Sequence, residues 1–171
     1  LPALGTEDEA LTSRSGVGLE LNPLFTDHMV LQRDMPIQVY GSGRAGAEVT
    51  VSFAGQLGSA KVCIDGRWQV SLEPLSASAE GKDLVVKSQN REKRVSDVVI
   101  GDVWVCSGQS NMGWGLFQTL PLPKEYPHAS RLRLLKGRSS SGSPTPQDEL
   151  AIDSAYGNSW QRATEEYALK F

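Results

Sequence analysis

The strongest constraint on the fold is a series of short β-type runs between residues 19 and 97, separated by turn residues at close intervals. Apolar and polar residues alternate in Glu48–Phe53 and in Trp68–Leu72, so every second side chain points to the same face. Asp65-Gly66, a dipeptide typical of tight hairpin turns, precedes the second run. No segment here has a helical period, so we predict an antiparallel β-sandwich over residues 19–97 with Trp68 in its core. The predicted strands are residues 29–31, 37–40, 48–53, 60–64, 68–72, 83–87 and 95–100.

The sequence changes character on both sides of this region. Residues 1–18 are polar and follow neither hydrophobic period, which predicts a flexible leader. Val103–Cys106 is apolar throughout, which favours a strand buried on both faces, as in a parallel sheet covered by helices. Residues 131–135 alternate like a second strand, and residues 160–171 are predicted to begin a helix. We therefore predict a mixed β and α/β fold, with residues 98–171 as the beginning of an α/β domain.

Composition narrows the classes of partner. Lys+Arg 17 against Asp+Glu 20 gives a formal charge of −3, which argues against nucleic acid or an anionic membrane surface as a partner. The densest basic run, Arg91–Arg94, contains its own acid and is expected in a solvated turn between strands. Cys63 and Cys106 are too few for a disulfide framework or a metal site. Both are expected to behave as small buried hydrophobes, with a single bridge between them left open, and no metal or cofactor is predicted.

A serine follows the apolar run 103–106 at a position suited to acyl transfer. Ser110 comes after the small residues Ser107-Gly108, which allow a substrate to approach the backbone closely. If a helix starts at Asn111, its first amides would favour a developing negative charge nearby. The ordinary alternative is that Ser110 only caps such a helix, and local geometry by itself favours the cap.

The segment Gly101-Asp-Val-Trp-Val-Cys-Ser-Gly-Gln-Ser-Asn-Met112 resembles the signature of the sialate O-acetylesterases, carbohydrate esterases of the SGNH (GDSL-like) superfamily. Residues 22–36, 49–55 and 65–68 are similar to that family's β-domain, in the same order. The resemblance continues through Tyr126-Pro127, Arg131–Leu134, Trp160 and Thr164-Glu165. It covers residues 19–171 and corresponds to the N-terminal portion of the family's members.

The resemblance implies a function and its limits. Ser110 would be the catalytic nucleophile, and its amide would contribute to the oxyanion hole. The reaction would remove O-acetyl groups from sialic acids through an acyl-serine intermediate, without a cofactor, in a lysosomal or secreted setting. The family has an acidic residue at the position of Gly113 and often proline at Gly115. Its catalytic Asp/His pair lies further downstream, so we expect a truncated SGNH-type α/β/α domain here that is inactive by itself.

Neither of the two histidines is predicted to replace the missing base. His28 lies in the entry to the β-domain, where a structural role at a sheet edge is expected. Glu125 and His128 imitate an acid–histidine pair that could orient an imidazole. They fall in an ordinary loop of the family, however, and Pro127 restricts the local geometry. A serine without a base is a poor nucleophile at neutral pH.

Three hypotheses therefore stand. In the first, the natural protein is longer or a second polypeptide supplies the missing Asp/His pair, and the substrate is an O-acetylated sialic acid or a related acetylated sugar. In the second, the chain is a truncated isoform or fragment whose β-sandwich serves in binding. Trp68 and Trp104 are candidates for stacking on a sugar, but both are predicted in the core. In the third, the ester specificity differs, for example toward acetylxylan.

Overall fold

The computed structural model describes residues 18–108, 129–137 and 159–163. These residues form ten β-strands and one short 3-10 turn, and they contain no α-helix. The strands are β1 Glu20–Leu21, β2 Val30–Gln32, β3 Ile37–Ser42, β4 Glu48–Phe53, β5 Gln56–Lys61, β6 Arg67–Leu72, β7 Ser78–Ser88, β8 Arg91–Gly101, β9 Arg133–Leu134 and β10 Gln161–Arg162, and the 3-10 turn is Ala129–Arg131. The α/β/α layer predicted for the last third is therefore not seen in this part of the chain.

Two sheets make up the β-domain. A three-stranded sheet has the order β1-β3-β6, and a five-stranded sheet has the order β2-β8-β7-β4-β5. The wholly antiparallel arrangement that the sequence predicted is wrong at one place, because β2 runs parallel to β8, with Val30 opposite Val99. The next strand after β2 is β3, which belongs to the other sheet, so no hairpin turn fixes the direction of β2 against β8.

The two sheets share one hydrophobic core, as the alternating runs predicted. In β4 the odd positions are buried and the even positions are not, and β6 buries Trp68, which is 2% exposed. The indole Nε1 of Trp68 donates to the carbonyl of Ser42, so the polar atom is satisfied inside the core. The three-stranded sheet contributes Ile37, Val39, Trp68, Val70 and Leu72, and the five-stranded sheet contributes Leu31, Val49, Val51, Phe53, Leu84, Val86, Val95, Val98 and Ile100.

The β4–β5 hairpin and the next turn along the chain show where local sequence was decisive. Ala54 and Gly55 both have positive φ, 51° and 82°, as a two-residue hairpin turn requires. Strand β5 was predicted too late, at residues 60–64, because Gln56–Lys61 carries few β-branched or large apolar side chains. Asp65-Gly66 does lie in a tight turn, with Gly66 at φ 81°, but its flanking strands belong to different sheets.

Two surface predictions are corrected. Arg91–Arg94 begins β8 instead of forming a turn; Gln89 and Asn90 make the turn. The basic side chains are paired along the strand, Arg94 with Asp83 at 2.7 Å and Lys93 with Glu20 at 2.9 Å. Both cysteines are free and exposed instead of buried. Cys63 follows Val62, which fills the inward position, so the alternation of the chain turns the thiol outward.

Candidate functional site

The predicted nucleophile Ser110 lies outside the described residues, and so do Asn111, Gly113, Gly115 and the pair Glu125/His128. Their roles stay predictions. The structure does describe the start of the signature segment, from Gly101 to Gly108, and this part shows how the chain leaves the β-domain toward Ser110.

The signature segment is anchored where the parallel pair β2–β8 ends. The amide of Arg33 donates to the carbonyl of Gly101 at 2.9 Å, and the amide of Val103 donates to Oε1 of Gln32 at 2.9 Å. The Nε of Arg33 lies 2.8 Å from Oδ1 of Asp102, and this hydrogen bond and the charge of Asp102 raise the pKa of Arg33. The position of the chain nine residues before Ser110 is thus fixed from the end of β2.

The prediction that Val103–Cys106 is a buried strand is wrong for the structure described. These residues form no strand, and Trp104 and Val105 are 85% and 90% exposed. The backbone pairing of β8 with β2 ends at Gly101, and no other described strand lies beside the segment. Without neighbouring strands or covering helices, an apolar run has nothing to be buried against. Trp104 is therefore a surface side chain, contrary to the core position predicted for it.

A second cluster, which the sequence did not reveal, surrounds Asp97. Its Oδ2 lies 2.7 Å from Nδ1 of His28, 2.7 Å from Nη2 of Arg162 and 3.4 Å from Nη2 of Arg133. The Nε of Arg162 also donates to this oxygen, at 2.9 Å. We call these four residues the Asp97 cluster. One carboxylate oxygen thus joins parts of the chain that are up to 134 positions apart, from His28 to Arg162.

Local backbone geometry presents Asp97 to its partners. Asp97 has φ 55°, a left-handed conformation that Asp tolerates better than most residues. The register of β7 against β8 shifts twice nearby, between Ser78 and Leu84, as expected at a β-bulge. A Cβ on Gly81 would collide with Oδ1 of Asp97, so glycine at this position lets the facing strand approach the carboxylate closely.

Burial and hydrogen bonding act in opposite directions on Asp97. The Asp97 side chain is 18% exposed, and its burial raises its pKa. The hydrogen bonds from His28 and Arg162 and the charges of Arg133 and Arg162 lower it by more, so the pKa of Asp97 lies below its ordinary value of 3.8. The carboxylate is therefore ionised at neutral pH and available to hold all three partners.

The cluster docks the last two described segments onto the β-domain. Strands β9 and β10 pair with each other antiparallel, Arg133 opposite Arg162. Trp160 donates from its backbone amide to Oγ1 of Thr26 and from its indole Nε1 to the carbonyl of Leu24, both at 3.0 Å. The predicted strand at 131–135 is thus two residues long, and the predicted helix from residue 160 begins as strand β10. Residues 164–171 lie outside the described part.

His28 has the structural role that the sequence predicted. It lies just before the edge strand β2, and its amide donates to the carbonyl of Ser96 in addition to the side-chain contact with Asp97. An Asp-oriented imidazole resembles the acid and base of a catalytic triad. Here the same carboxylate oxygen also binds the guanidinium groups of Arg133 and Arg162. His28 therefore belongs to the contacts that hold β9 and β10 on the β-domain.

No group of His, Cys, Asp and Glu in residues 18–108, 129–137 and 159–163 is suited to hold a metal ion. The same ranges contain no helix that is long and apolar enough to cross a membrane.

Comparisons with known proteins point to one class. None of the compared protein-family models matches the chain. The chain is 30% identical to the sialate O-acetylesterase of Rattus norvegicus over 160 residues, 88% of this chain and 29% of that protein. It is 31% identical to the Homo sapiens sialate O-acetylesterase over 168 residues, 89% of this chain and 31% of that protein. A solved structure of a carbohydrate acetylesterase from Xanthomonas citri matches with a TM-score of 0.75 at 35% identity, over 89% of this chain and 34% of that one.

The shared fold and this sequence identity relate the chain to the carbohydrate acetylesterases. Within that class, it is homologous to the sialate O-acetylesterases, as the signature Gly101–Met112 indicated. The chain spans about 30% of the length of these relatives.

Proposed function

We propose that the chain carries the nucleophile portion of a sialate O-acetylesterase-like carboxylic ester hydrolase. The observation that supports this most strongly is the homology over 89% of the chain, which accompanies a signature segment containing Ser110. Oγ of Ser110 would attack the acetyl carbonyl and form an acyl-serine, which water would then hydrolyse. The fixed ends of β2 and β8 would hold the start of the segment that carries Ser110.

The proposed reaction needs a base that takes the proton of Ser110. His28 contacts Asp97 in the Asp97 cluster and is not assigned the role of base. The resemblance places the second histidine, His128, in an ordinary loop of the family. We therefore propose that the base comes from polypeptide that corresponds to the unmatched part of the relatives, either in a longer chain or in a second polypeptide. The chain alone would then be inactive, because losing one triad member costs several orders of magnitude in rate.

The proposed substrate class rests on the similarity to the sialate O-acetylesterases and the carbohydrate acetylesterase. We propose O-acetylated sialic acids or related acetylated sugars as substrates, with acetylxylan-type esters as the alternative within the class. A lysosomal or secreted location is proposed on the same basis. No nucleic acid or membrane partner is proposed, since the formal charge is −3.

Complementation tests this function. The chain is co-expressed with the part of the human relative that it does not match, and release of acetate from an O-acetylated sialic acid is measured. We expect turnover only when both polypeptides are present, together with fluorophosphonate labelling of the chain. Ser110→Ala should abolish both, whereas the matched control Ser107→Ala, a serine of the same signature sequence, should retain them. Turnover that survives Ser110→Ala would refute the proposal.

A non-catalytic binding function is the second candidate, and one observation favours it. Trp104 is 85% exposed, so its indole face is available to stack on a sugar ring. If this function holds, an acetylated sugar should quench the fluorescence of the wild-type chain saturably, and Trp104→Ala should abolish the effect. Trp68→Phe is the matched control, because Trp68 is buried in the core. An equal response in the wild type and Trp104→Ala would exclude stacking on Trp104.

A further inference from the structure

The Asp97 cluster contains more positive than negative charge. The guanidinium groups of Arg133 and Arg162 carry two positive charges, and within residues 18–108, 129–137 and 159–163 Asp97 is the carboxylate in direct contact with them. His28 adds a further positive charge whenever it is protonated. Asp27 precedes His28, but its Oδ1 accepts the backbone amide of Ser96, and its side chain forms none of the contacts within the cluster. Direct pairing within the described part of the chain therefore neutralises one of the two guanidinium groups.

Of the two guanidinium groups, that of Arg133 has the longer contact with Asp97 and is also the more deeply buried. Its side chain is 7% exposed, and its contact with Asp97 is 3.4 Å, against 2.7 Å for Arg162. Its Nη1 donates to the carbonyls of Ser130 and Leu132, while its buried Nε has no hydrogen-bond partner in the part of the chain that the structure describes. Burial lowers the pKa of Arg133, and the charge of Arg162 lowers it further, against the opposing effect of Asp97. A buried guanidinium in this state is costly unless a second anion offsets its charge.

Two members of the cluster are exposed enough for an anion to reach them. The side chain of Arg162 is 57% exposed and that of His28 is 39% exposed. Arg162 uses Nε and Nη2 for Asp97, so Nη1 remains to donate to a ligand. The ring of His28 contacts Asp97 through Nδ1, which leaves Nε2 as its second hydrogen-bonding nitrogen.

We propose that Arg162 and His28, supported by the charge of Arg133, form a binding site for a small carboxylate. A monoanion matches the one positive charge that pairing among the described residues leaves over, whereas a phosphate dianion exceeds it. Nη1 of Arg162 would donate a charge-assisted hydrogen bond to one carboxylate oxygen of the ligand. Resting on the proposed function, the ligand class is an acidic sugar whose carboxylate lies at Arg162, so that the β-domain side of the protein would contribute to the recognition of sialic acids.

Titration calorimetry on the full chain tests this site without requiring esterase activity. The probes are N-acetylneuraminate and its methyl ester, which lacks the charged carboxylate. We expect saturable binding of the acid and affinity at least about 10-fold weaker for the ester, the size expected when a charge-assisted contact is lost. Arg162→Gln should weaken binding of the acid by a similar factor and leave binding of the ester unchanged. The matched control Arg44→Gln, an exposed arginine in the β3–β4 turn, should bind both probes as the wild type does.

Each alternative outcome overturns the site. No binding of the acid refutes it, and equal affinity for acid and ester shows that the carboxylate is not recognised. Equal strength for acetate, sulfate and the sugar acid, seen only at high concentration, identifies an adventitious ion only. Because Arg162 is exposed, we expect Arg162→Gln to fold, and circular dichroism checks this. If the sugar acid does not bind but complementation through Ser110 succeeds, the carboxylate site alone is rejected. If the sugar acid binds but complementation fails, the esterase proposal alone is rejected.

Discussion

Replacing Asp97 by asparagine removes the negative charge of the Asp97 cluster and changes the shape of the side chain little. Asn keeps an acceptor oxygen and tolerates the positive φ of 55° at this position. The change therefore isolates the ionic part of the contacts with Arg133, Arg162 and His28. Since Asp97 is 18% exposed, water only partly screens the attraction between its carboxylate and these partners.

The contacts of Asp97 contribute unequally to the expected cost. Arg133 is 7% exposed, and a hydrogen bond to a charged group in such a place contributes about 1.5–3 kcal/mol. The contact with Arg162 is a surface pair at 57% exposure and contributes about 0–1 kcal/mol. We therefore expect Asp97→Asn to weaken docking of β9 and β10 by about 2–3 kcal/mol. The free energy of unfolding of the sandwich core should change less, because its apolar contacts remain.

Hydrogen exchange followed by mass spectrometry measures this difference by segment. In Asp97→Asn, the amides of residues 129–137 and 159–163 should exchange about 30- to 150-fold faster, which is 2–3 kcal/mol converted to a ratio. Amides of β4 and β6 should keep their rates. Asp83→Asn is the matched control, because Asp83 pairs with an arginine of β8 at 46% exposure and holds no second segment. Equal protection in the wild type and Asp97→Asn, or the same loss in Asp83→Asn, would refute the reasoning.

The same docking should depend on pH in a defined direction. The pKa of Asp97 in the folded chain lies below its ordinary value of 3.8, so its contribution is fully present above that value. It is lost as the pH falls through the lower, folded-state pKa. Protection of residues 159–163 should therefore persist from pH 7 to pH 5 and decrease below about pH 4. In Asp97→Asn this decrease should be absent; if it remains, another group is responsible.

Three further predictions concern the β-domain. Gly81→Ala places a methyl group on the Asp97 carboxylate and should lower the free energy of unfolding by about 1–3 kcal/mol in urea titration. The control Gly101→Ala should lower it by less, because φ is not positive there and an added Cβ would meet its nearest neighbour at 3.4 Å; equal losses would contradict the close approach at Gly81. Trp68→Ala removes the largest inward side chain of β6 and should cost about 3–5 kcal/mol, and a loss under about 1 kcal/mol would show that this position is not in the core. Cys63 and Cys106 are free and exposed, so both should react with a thiol reagent without denaturant. In the Cys63→Ser/Cys106→Ser double variant no label should remain. A slow reaction of the native chain would contradict the exposure of the two thiols.

Local sequence determined which residues belong to the sandwich core and which segment marks the family. The alternation in Glu48–Phe53 and the position of Trp68 predicted the buried face correctly, because side chains alternate across a strand whatever its partners are. The signature Gly101–Met112 indicated the acetylesterase relation that the comparisons support. Ser110 itself stays a prediction, as does the domain boundary at residue 97, which β8 crosses without a break.

Only the tertiary structure decided the contacts between distant parts of the chain. The parallel pairing of β2 with β8 and the meeting of His28, Asp97, Arg133 and Arg162 depend on where whole segments pack, and no local periodicity encodes that. Trp104 is a second case in which local sequence did not predict the surroundings of a side chain. Its apolar neighbours predicted burial, but burial requires a partner surface, and the described part of the chain leaves it 85% exposed. Periodicity thus specifies which side of a strand is apolar, and packing alone decides what that side meets.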